Sequence, residues 1–356
     1  MENKLIPQHN FETKIEDSKT ELVTLSNRNG VVVQITNYGA RIVSFIVKDA
    51  GGIPRDIIAG PATIADYLST KERYFNAVIG RYAGRIANGA FTLDEQTYKT
   101  TQNDGPNTLH GGRGTHDLLW EITARKKDKL RLECVLEDGQ DGFPGRLEIA
   151  ASYILTDENE LSIEYFARSD KDTVINLTNH AFFNLGAPDI LGHRLMIDAA
   201  SYTPLNNARI PTGDLAPVKN TVFDFRQFKE IGKDIKDIAL KPTKGYDHNF
   251  VLDNYPSRNG EPFFAAAVKC PQTGLCLEVR TLEPGLQLYT GNYLSGKDLG
   301  KEAAKYPQYS ALCLETQHFP DSPNHPDFPT TTLKEGEEFY SRSIYKVLVE
   351  PFESAP

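Results

Sequence analysis

Leu147-Glu148-Ile149-Ala150-Ala151-Ser152-Tyr153-Ile154-Leu155-Thr156-Asp157-Glu158-Asn159-Glu160-Leu161-Ser162-Ile163-Glu164-Tyr165-Phe166-Ala167 is the stretch whose pattern decides the fold. Leu147, Ile149, Ala151, Tyr153 and Leu155 alternate with mostly polar neighbours. After the polar turn Asp157-Glu158-Asn159, Leu161, Ile163, Tyr165 and Ala167 alternate again. A period of two on both sides of a short polar break is a β-hairpin with one buried face. Val31, Val33 and Ile35 repeat the pattern, as do Leu275, Leu277 and Val279, and Ser343 to Glu350 reads as a last strand. Helical patterning is scarce. Ile64 to Leu68 suits a turn or two, and Phe225, Phe228, Ile231 and Ile235 have the spacing of a short helix. The 27 Gly and 21 Pro are scattered among the strands, as many turns require. No linker, repeat or low-complexity block divides the chain. The expectation is an all-β protein: one large antiparallel β-sandwich over residues 21–356, with few short helices and long loops, preceded by an extended N-terminal arm over residues 1–20.

The 356 residues suffice for one large domain or two modest ones. A formal net charge of −9 argues against a nucleic-acid surface, which needs clustered Lys and Arg. The short basic run Arg125-Lys126-Lys127 lies beside Asp128 and reads as a solvated turn. No run approaches the roughly 20 apolar residues of a membrane helix. The start, MENKLIPQHNFETKIEDSK, has no apolar signal-peptide core. A cytoplasmic enzyme is the expectation, or an exported form if a signal peptide has been removed. Among the four cysteines, Cys270 and Cys276 are too widely spaced for a CxxC zinc site. Cys134, Cys276 and Cys313 sit in apolar alternation and read as small buried hydrophobes. No P-loop is present, nor a GxGxxG that opens a helix, so no cofactor and no metal are expected. The 16 Tyr and 18 Phe can offer faces to the C–H surfaces of a sugar.

Five stretches place ionisable groups beside turns or strand ends: GRYAGRIANGAF (80–91), NTLHGG (107–112), NLTNHAFFNLGA (176–187), YDHNFVL (246–252) and LETQHFPDSPNHPDFP (314–329). At His110, the two glycines that follow let the backbone bend and the imidazole could project into a groove, although taken alone a His before Gly-Gly reads as a turn residue. Taken alone, His180 reads as a satisfied core histidine at a strand exit. Glu315 follows the apolar run Leu312-Cys313-Leu314. Burial there raises a carboxyl pKa unless a cation pairs with it, which makes a general base; a structural ion pair is the other reading. Asp247, alone, is an ordinary turn aspartate.

Together these stretches, with GLQLYTGN (285–292) and the turn Asn37-Tyr38-Gly39-Ala40, resemble the galactose mutarotase (aldose 1-epimerase) family over nearly the whole chain. The resemblance implies a galactose mutarotase-like supersandwich and a cofactor-free isomerase that interconverts the α and β anomers of free aldohexoses such as galactose and glucose. It implies that His180, the His of the TNH element, donates a proton to the ring oxygen. It implies likewise that Glu315, the Glu of LETQ, removes the proton of the C1 hydroxyl. Arg85, His110, Asp247 and Gln287 fall on positions that bind sugar hydroxyls, and Asn184 follows them as part of the segment after the acid. The implied partner is a monosaccharide, with no nucleic acid and no membrane, in a monomer or weak dimer.

Two departures stand out. Many members have Asn where this chain has Gly84, and many have Tyr where it has Phe182. Both concern sugar contacts and leave the acid–base pair untouched. That pair needs His180 protonated while Glu315 is ionised, so activity should be bell-shaped in pH. The alternatives are a glycoside hydrolase using Glu315 with Asp247, a non-catalytic carbohydrate-binding sandwich, and a sugar-phosphate epimerase, for which the site stretches offer only Arg81 and Arg85.

Overall fold

The computed structural model describes residues 5–15 and 17–351. The hairpin forms as its pattern requires. Strand Leu147–Leu155 pairs antiparallel with Glu160–Ser169, setting Ile149 opposite Ala167, Ala151 opposite Tyr165 and Tyr153 opposite Ile163. These side chains share one face because successive residues of a strand point to opposite sides.

The hairpin supplies the third and fourth strands of a nine-stranded antiparallel sheet. In spatial order its strands are Glu121–Arg125, Lys129–Leu136, Leu147–Leu155, Glu160–Ser169, Glu338–Val349, Leu275–Thr281, Phe263–Cys270, Arg194–Ile197 and Lys229–Glu230. A four-stranded sheet (Leu22–Ser26, Val32–Thr36, Ile42–Lys48, Pro54–Asp56) and a five-stranded sheet (Ala216–Pro217, Ser201–Tyr202, Asp247–Val251, Gly285–Tyr289, Cys313–Gln317) contribute to the same core. That core joins Ile149, Tyr153 and Ile163 of the large sheet to Val33 and Phe45 of the second and Phe250, Leu286, Leu288 and Leu314 of the third. The all-β sandwich expected from the alternation is thus observed. Among the described residues, no helix is long and apolar enough to cross a membrane.

Ile64–Ser69 is an α-helix, as its spacing suggests, and Thr63 caps it by accepting from the Asp66 amide at 3.1 Å. The helix expected around Phe225 to Ile235 does not form. Only a 3-10 turn, Ile231–Asp234, is found there. The backbone bonds outward instead: Lys229–Glu230 pairs with Arg194–Ile197 as the edge strand of the large sheet, Ile231 N donates to His193 O at 2.9 Å, and Gly232 N donates to Leu191 O at 2.8 Å. Pairing with a sheet edge has overridden a weak helical preference that Gly232 lowers further.

At the N-terminus, Met1 to Lys4 lie outside the described residues, as do residues 352–356. The rest of the expected extended arm contains a 3-10 turn, Gln8–Phe11, and a two-residue ladder between Lys14–Ile15 and Ser18–Lys19. It is anchored to the sandwich: Phe11 is fully buried, and the Ile6 backbone exchanges hydrogen bonds of 2.8 and 2.9 Å with the Gln34 side chain.

The hairpin core sets a testable cost. Ile163 is fully buried at its centre. Ile163→Ala should destabilise the fold by about 2–5 kcal/mol. In urea this appears as a lower midpoint at unchanged m-value.

Candidate active site

The cleft is laid out by strand register. In the five-stranded sheet, Asn249 lies opposite Gln287 and Gln287 opposite Glu315. One rung away, Asp247, Tyr289 and Cys313 form a second row. With a side-chain period of two, Leu286, Leu288, Leu314 and Phe250 turn into the core. Asp247, Asn249, Gln287, Tyr289, Glu315 and Gln317 line the cleft from the other face. The LETQ element therefore has two faces: Leu314 and Thr316 inward, Glu315 and Gln317 toward the cleft.

His180 enters from a neighbouring segment. Thr178–Asn179 pairs with Val78–Ile79, and Thr178 Oγ1 donates to Thr316 O at 2.9 Å, tying this segment to the Glu315 strand. His180 N donates to Ala77 O at 2.9 Å. Its ring stacks on Phe182 (5.1 Å between centroids) and on Tyr74 (5.9 Å). This brings His180 Nε2 to 3.7 Å from Glu315 Oε1, with both side chains buried. His180 Nδ1 is 3.4 Å from Cys313 Sγ.

Arg85 and His110 come from a short ladder in which Leu109 lies opposite Arg85. His110 has φ +54°, and Gly111 follows at φ +72°. A Cβ at Gly111 would sit 2.7 Å from Arg81 N and 2.9 Å from Gly80 O, so the bend needs glycine there. His110 N donates to Gly84 O at 3.0 Å, and Gly84 N donates to His110 Nδ1 at 3.3 Å. Nδ1 is thus an acceptor, and the neutral ring carries its proton on Nε2.

Burial dominates the electrostatics. It pushes Glu315 well above the usual carboxylate range, and the nearby charges of Asp247 and Glu72 push the same way while Arg85 opposes them. The raised pKa expected from the apolar strand context is therefore present. Burial also lowers His180 to about 4 and holds His110 well below an ordinary imidazole. Burial thus works against the protonated His180 and toward a protonated Glu315, so that both members of the pair are pushed toward their neutral forms. Burial raises Glu72, also in the cleft, to about 7. It likewise keeps the Cys313 thiol protonated.

His180, Glu315, Arg85, His110, Asp247 and Gln287 all converge on this one cleft. Asn184 does not. Its Nδ2 donates to Ala187 O (2.9 Å) and Ser310 O (2.7 Å), and its Oδ1 accepts from the amides of Gly186 (2.9 Å) and Ala187 (3.0 Å). It staples a loop, and its hydrogen-bonding capacity is spent there. Phe182 is also away from the cleft lining, fully buried against Phe75 (4.6 Å). Gly84 lines the cleft at φ +78° and is packed against Pro320. Sequence reasoning missed Glu72, Tyr74, Asp104, Asn249, Arg209 and Gln317, all of which line the cleft. Asn249 and Gln317 could have been found, since each lies two residues along a strand from a nominated carboxylate. The others sit on loops and carry no pattern.

His110, His180 and Glu315 bring ligand-type atoms within 4.8 Å of one another. They fit a metal poorly, because the His110 Nδ1 already accepts from an amide and its Nε2 holds the proton. Unpartnered buried oxygens, Glu315 Oε2 and Gln287 Oε1, with both polar side-chain atoms of Asn249, instead ask for hydroxyl groups.

The aldose 1-epimerase family model matches residues 21–346. The chain belongs to the aldose 1-epimerase family. It is 43% identical over 311 residues to the galactose mutarotase of Sus scrofa, covering 86% of this chain and 88% of that one. It is 37% identical over 332 residues to the aldose 1-epimerase of Haemophilus influenzae, covering 92% and 95%. Among solved structures, galactose 1-epimerase from Lactobacillus acidophilus superposes with a TM-score of 0.83 at 29% identity, covering 95% and 97%. The aldose epimerase homologue from C. elegans gives 0.85 at 26%, covering 93% and 99%. The sandwich is thus of the galactose mutarotase-like type.

The aldose 1-epimerase cleft depends on the bend at Gly111. Gly111→Ala should cost more than about 1 kcal/mol, because alanine is strained at positive φ and meets backbone there. It should also shift His110. A lower Tm together with a raised KM for sugar is the expected outcome; a change in neither would show that the bend is dispensable.

Proposed function

We propose that the protein interconverts the α and β anomers of free aldohexoses, galactose and glucose among them, with His180 and Glu315 as the acid–base pair. The observation that carries this reading is the 3.7 Å approach of His180 Nε2 to Glu315 Oε1 on the floor of a polar cleft. The two oxygens on C1 of an aldopyranose, the hydroxyl and the ring oxygen, are close enough for one such pair to serve both. Family membership supports the same reaction.

Proton balance is simple. The pair holds one proton. With His180 protonated and Glu315 ionised, Glu315 takes the C1 hydroxyl proton, the bond from C1 to the ring oxygen breaks, and that oxygen takes the His180 proton. The products are the open aldehyde, a protonated Glu315 and a neutral His180. Burial favours this same neutral pair, so the cleft is electrostatically matched to the ring-opened stage. Rotation about C1–C2 and reversal of the transfers recloses the ring on the other face. Arg85, His110, Asp247 and Gln287 hold hydroxyls away from C1, which must turn.

The alternatives fit less well. Arg81 is buried and bonds to backbone carbonyls, those of Gly145 at 2.7 Å and Pro144 among them, so it cannot hold a phosphate. The cleft's carboxyl groups, Glu72, Asp104, Asp247 and Glu315, outnumber its two guanidinium groups, Arg85 and Arg209. A hydrolase would pair Glu315 with Asp247, but Glu315 stands beside His180 at 3.7 Å, while Asp247 is turned to Gln287 Nε2 at 2.7 Å and to Arg85.

Polarimetry on fresh α-D-galactose and α-D-glucose tests the reading. Glu315→Gln and His180→Asn should each cut the acceleration by about 10² to 10⁴ while the fold persists. Variants that equilibrate the sugar as fast as the parent would overturn the assignment. The pH dependence is a separate test. Acid adds a second proton, to a His180 lowered to about 4, and removes the base. Alkali removes the single proton from a Glu315 whose pKa is raised. The profile of kcat/KM should therefore be bell-shaped, with its acid limb displaced toward pH 4. An acid limb at the ordinary histidine value of 6.5 would contradict the burial argument.

A further inference from the structure

The cleft carries a chain of charges contributed by separate segments. Asp104 Oδ2 accepts from Arg85 Nε at 2.7 Å. Arg209 Nη2 donates to the same carboxylate, at 2.8 Å to Oδ1 and 3.1 Å to Oδ2. On its other side, Arg85 Nη1 stands 3.7 Å from Asp247 Oδ2. Asp247 Oδ1 accepts from Gln287 Nε2 at 2.7 Å. The order is Arg209, Asp104, Arg85, Asp247, Gln287, and all five line the cleft.

The two outer members are set by turns. Asp104 and Asn107 exchange backbone hydrogen bonds of 3.1 Å each. Arg209 has φ +63° in a turn whose Asn206 Oδ1 accepts from Ala208 N at 2.8 Å and Ile210 N at 3.2 Å. Asn107 Nδ2 donates to Ala208 O at 3.3 Å, joining the same two turns a second time.

The spacing along this chain is uneven. Arg85 makes a close, charge-assisted hydrogen bond to Asp104 but stops 3.7 Å short of Asp247. A guanidinium free of Asp104 would swing toward Asp247 and close a short, bidentate pair, the geometry it prefers with a carboxylate. The donors of Arg85 and the acceptors of Asp247 would then satisfy each other and be lost to a sugar. We propose that Asp104, backed by Arg209, is a positioning residue that holds Arg85 off Asp247 and so keeps both groups available to sugar hydroxyls. Asp104 touches neither reacting oxygen and acts through Arg85. This inference rests on the anomerase reading of the cleft.

Anomer-exchange kinetics on the full chain test it. Asp104→Asn should raise KM about tenfold and leave kcat within about twofold, since the acid–base pair is untouched. Asp104→Glu should recover part of the loss. In an Arg85→Lys background, adding Asp104→Asn should change KM by less than about twofold, because the partner it positions is already gone. Arg209→Gln, run through the same cycle, serves if Asp104→Asn does not fold. A lowered Tm with unchanged KM, or a KM effect that multiplies fully onto that of Arg85→Lys, overturns the proposal. A parent protein that does not speed anomer exchange overturns the anomerase reading and this inference with it. An active parent with an indifferent Asp104→Asn overturns this inference alone.

Discussion

The register of strand Cys313–Gln317 against Gly285–Tyr289 is the constraint on which the rest depends. Slipping it by one residue would turn Leu314 and Thr316 into the cleft and drive Glu315 and Gln317 into the core. The apolar face prevents that, because Leu286, Leu288 and Leu314 belong to the sandwich core. Hydrophobic burial on one side of the sheet thus sets, through backbone geometry alone, which polar groups meet on the other. The large hairpin supplies the opposite wall of that core, so a pattern far from the chemistry fixes where the chemistry sits.

Burial also sets the charge state. A carboxyl and an imidazole taken out of water both move toward neutrality, one upward and one downward. Their opposite shifts favour one proton held on Glu315 beside a neutral His180, and an anomerase needs a pair that can pass that proton in both directions. The extra carboxyl of Glu72 reinforces the upward shift of Glu315, while Arg85 opposes it.

Much of this was legible in the sequence. The alternation around Tyr153 and Ile163 foretold the hairpin and its buried face, with the second strand running one residue earlier and two later than the alternating positions, since a period of two has one structural solution. Glu315 could be singled out because an apolar strand context has a known effect on a carboxyl. His180 could not, since its role depends on a 3.7 Å approach across segments 135 residues apart in sequence. The short-helix spacing at Phe225 to Ile235 misled, because tertiary pairing with Arg194–Ile197 outweighs local preference. Asn184 misled for another reason: being next to functional residues in sequence does not place a strand-exit side chain in the same cleft. Asp104 and Arg209 lie on irregular turns, where no periodicity exists to read.

One feature of the cleft wall reaches beyond binding. A Cβ at Gly84 would lie 2.9 Å from both Cβ and Cγ of Pro320, and the backbone there holds φ +78°. The space beside Arg85 is taken by the Pro320 ring from the segment after LETQ. Positions 84 and 320 therefore act as one unit in design: a side chain can be introduced at the first only if the loop bearing the second withdraws.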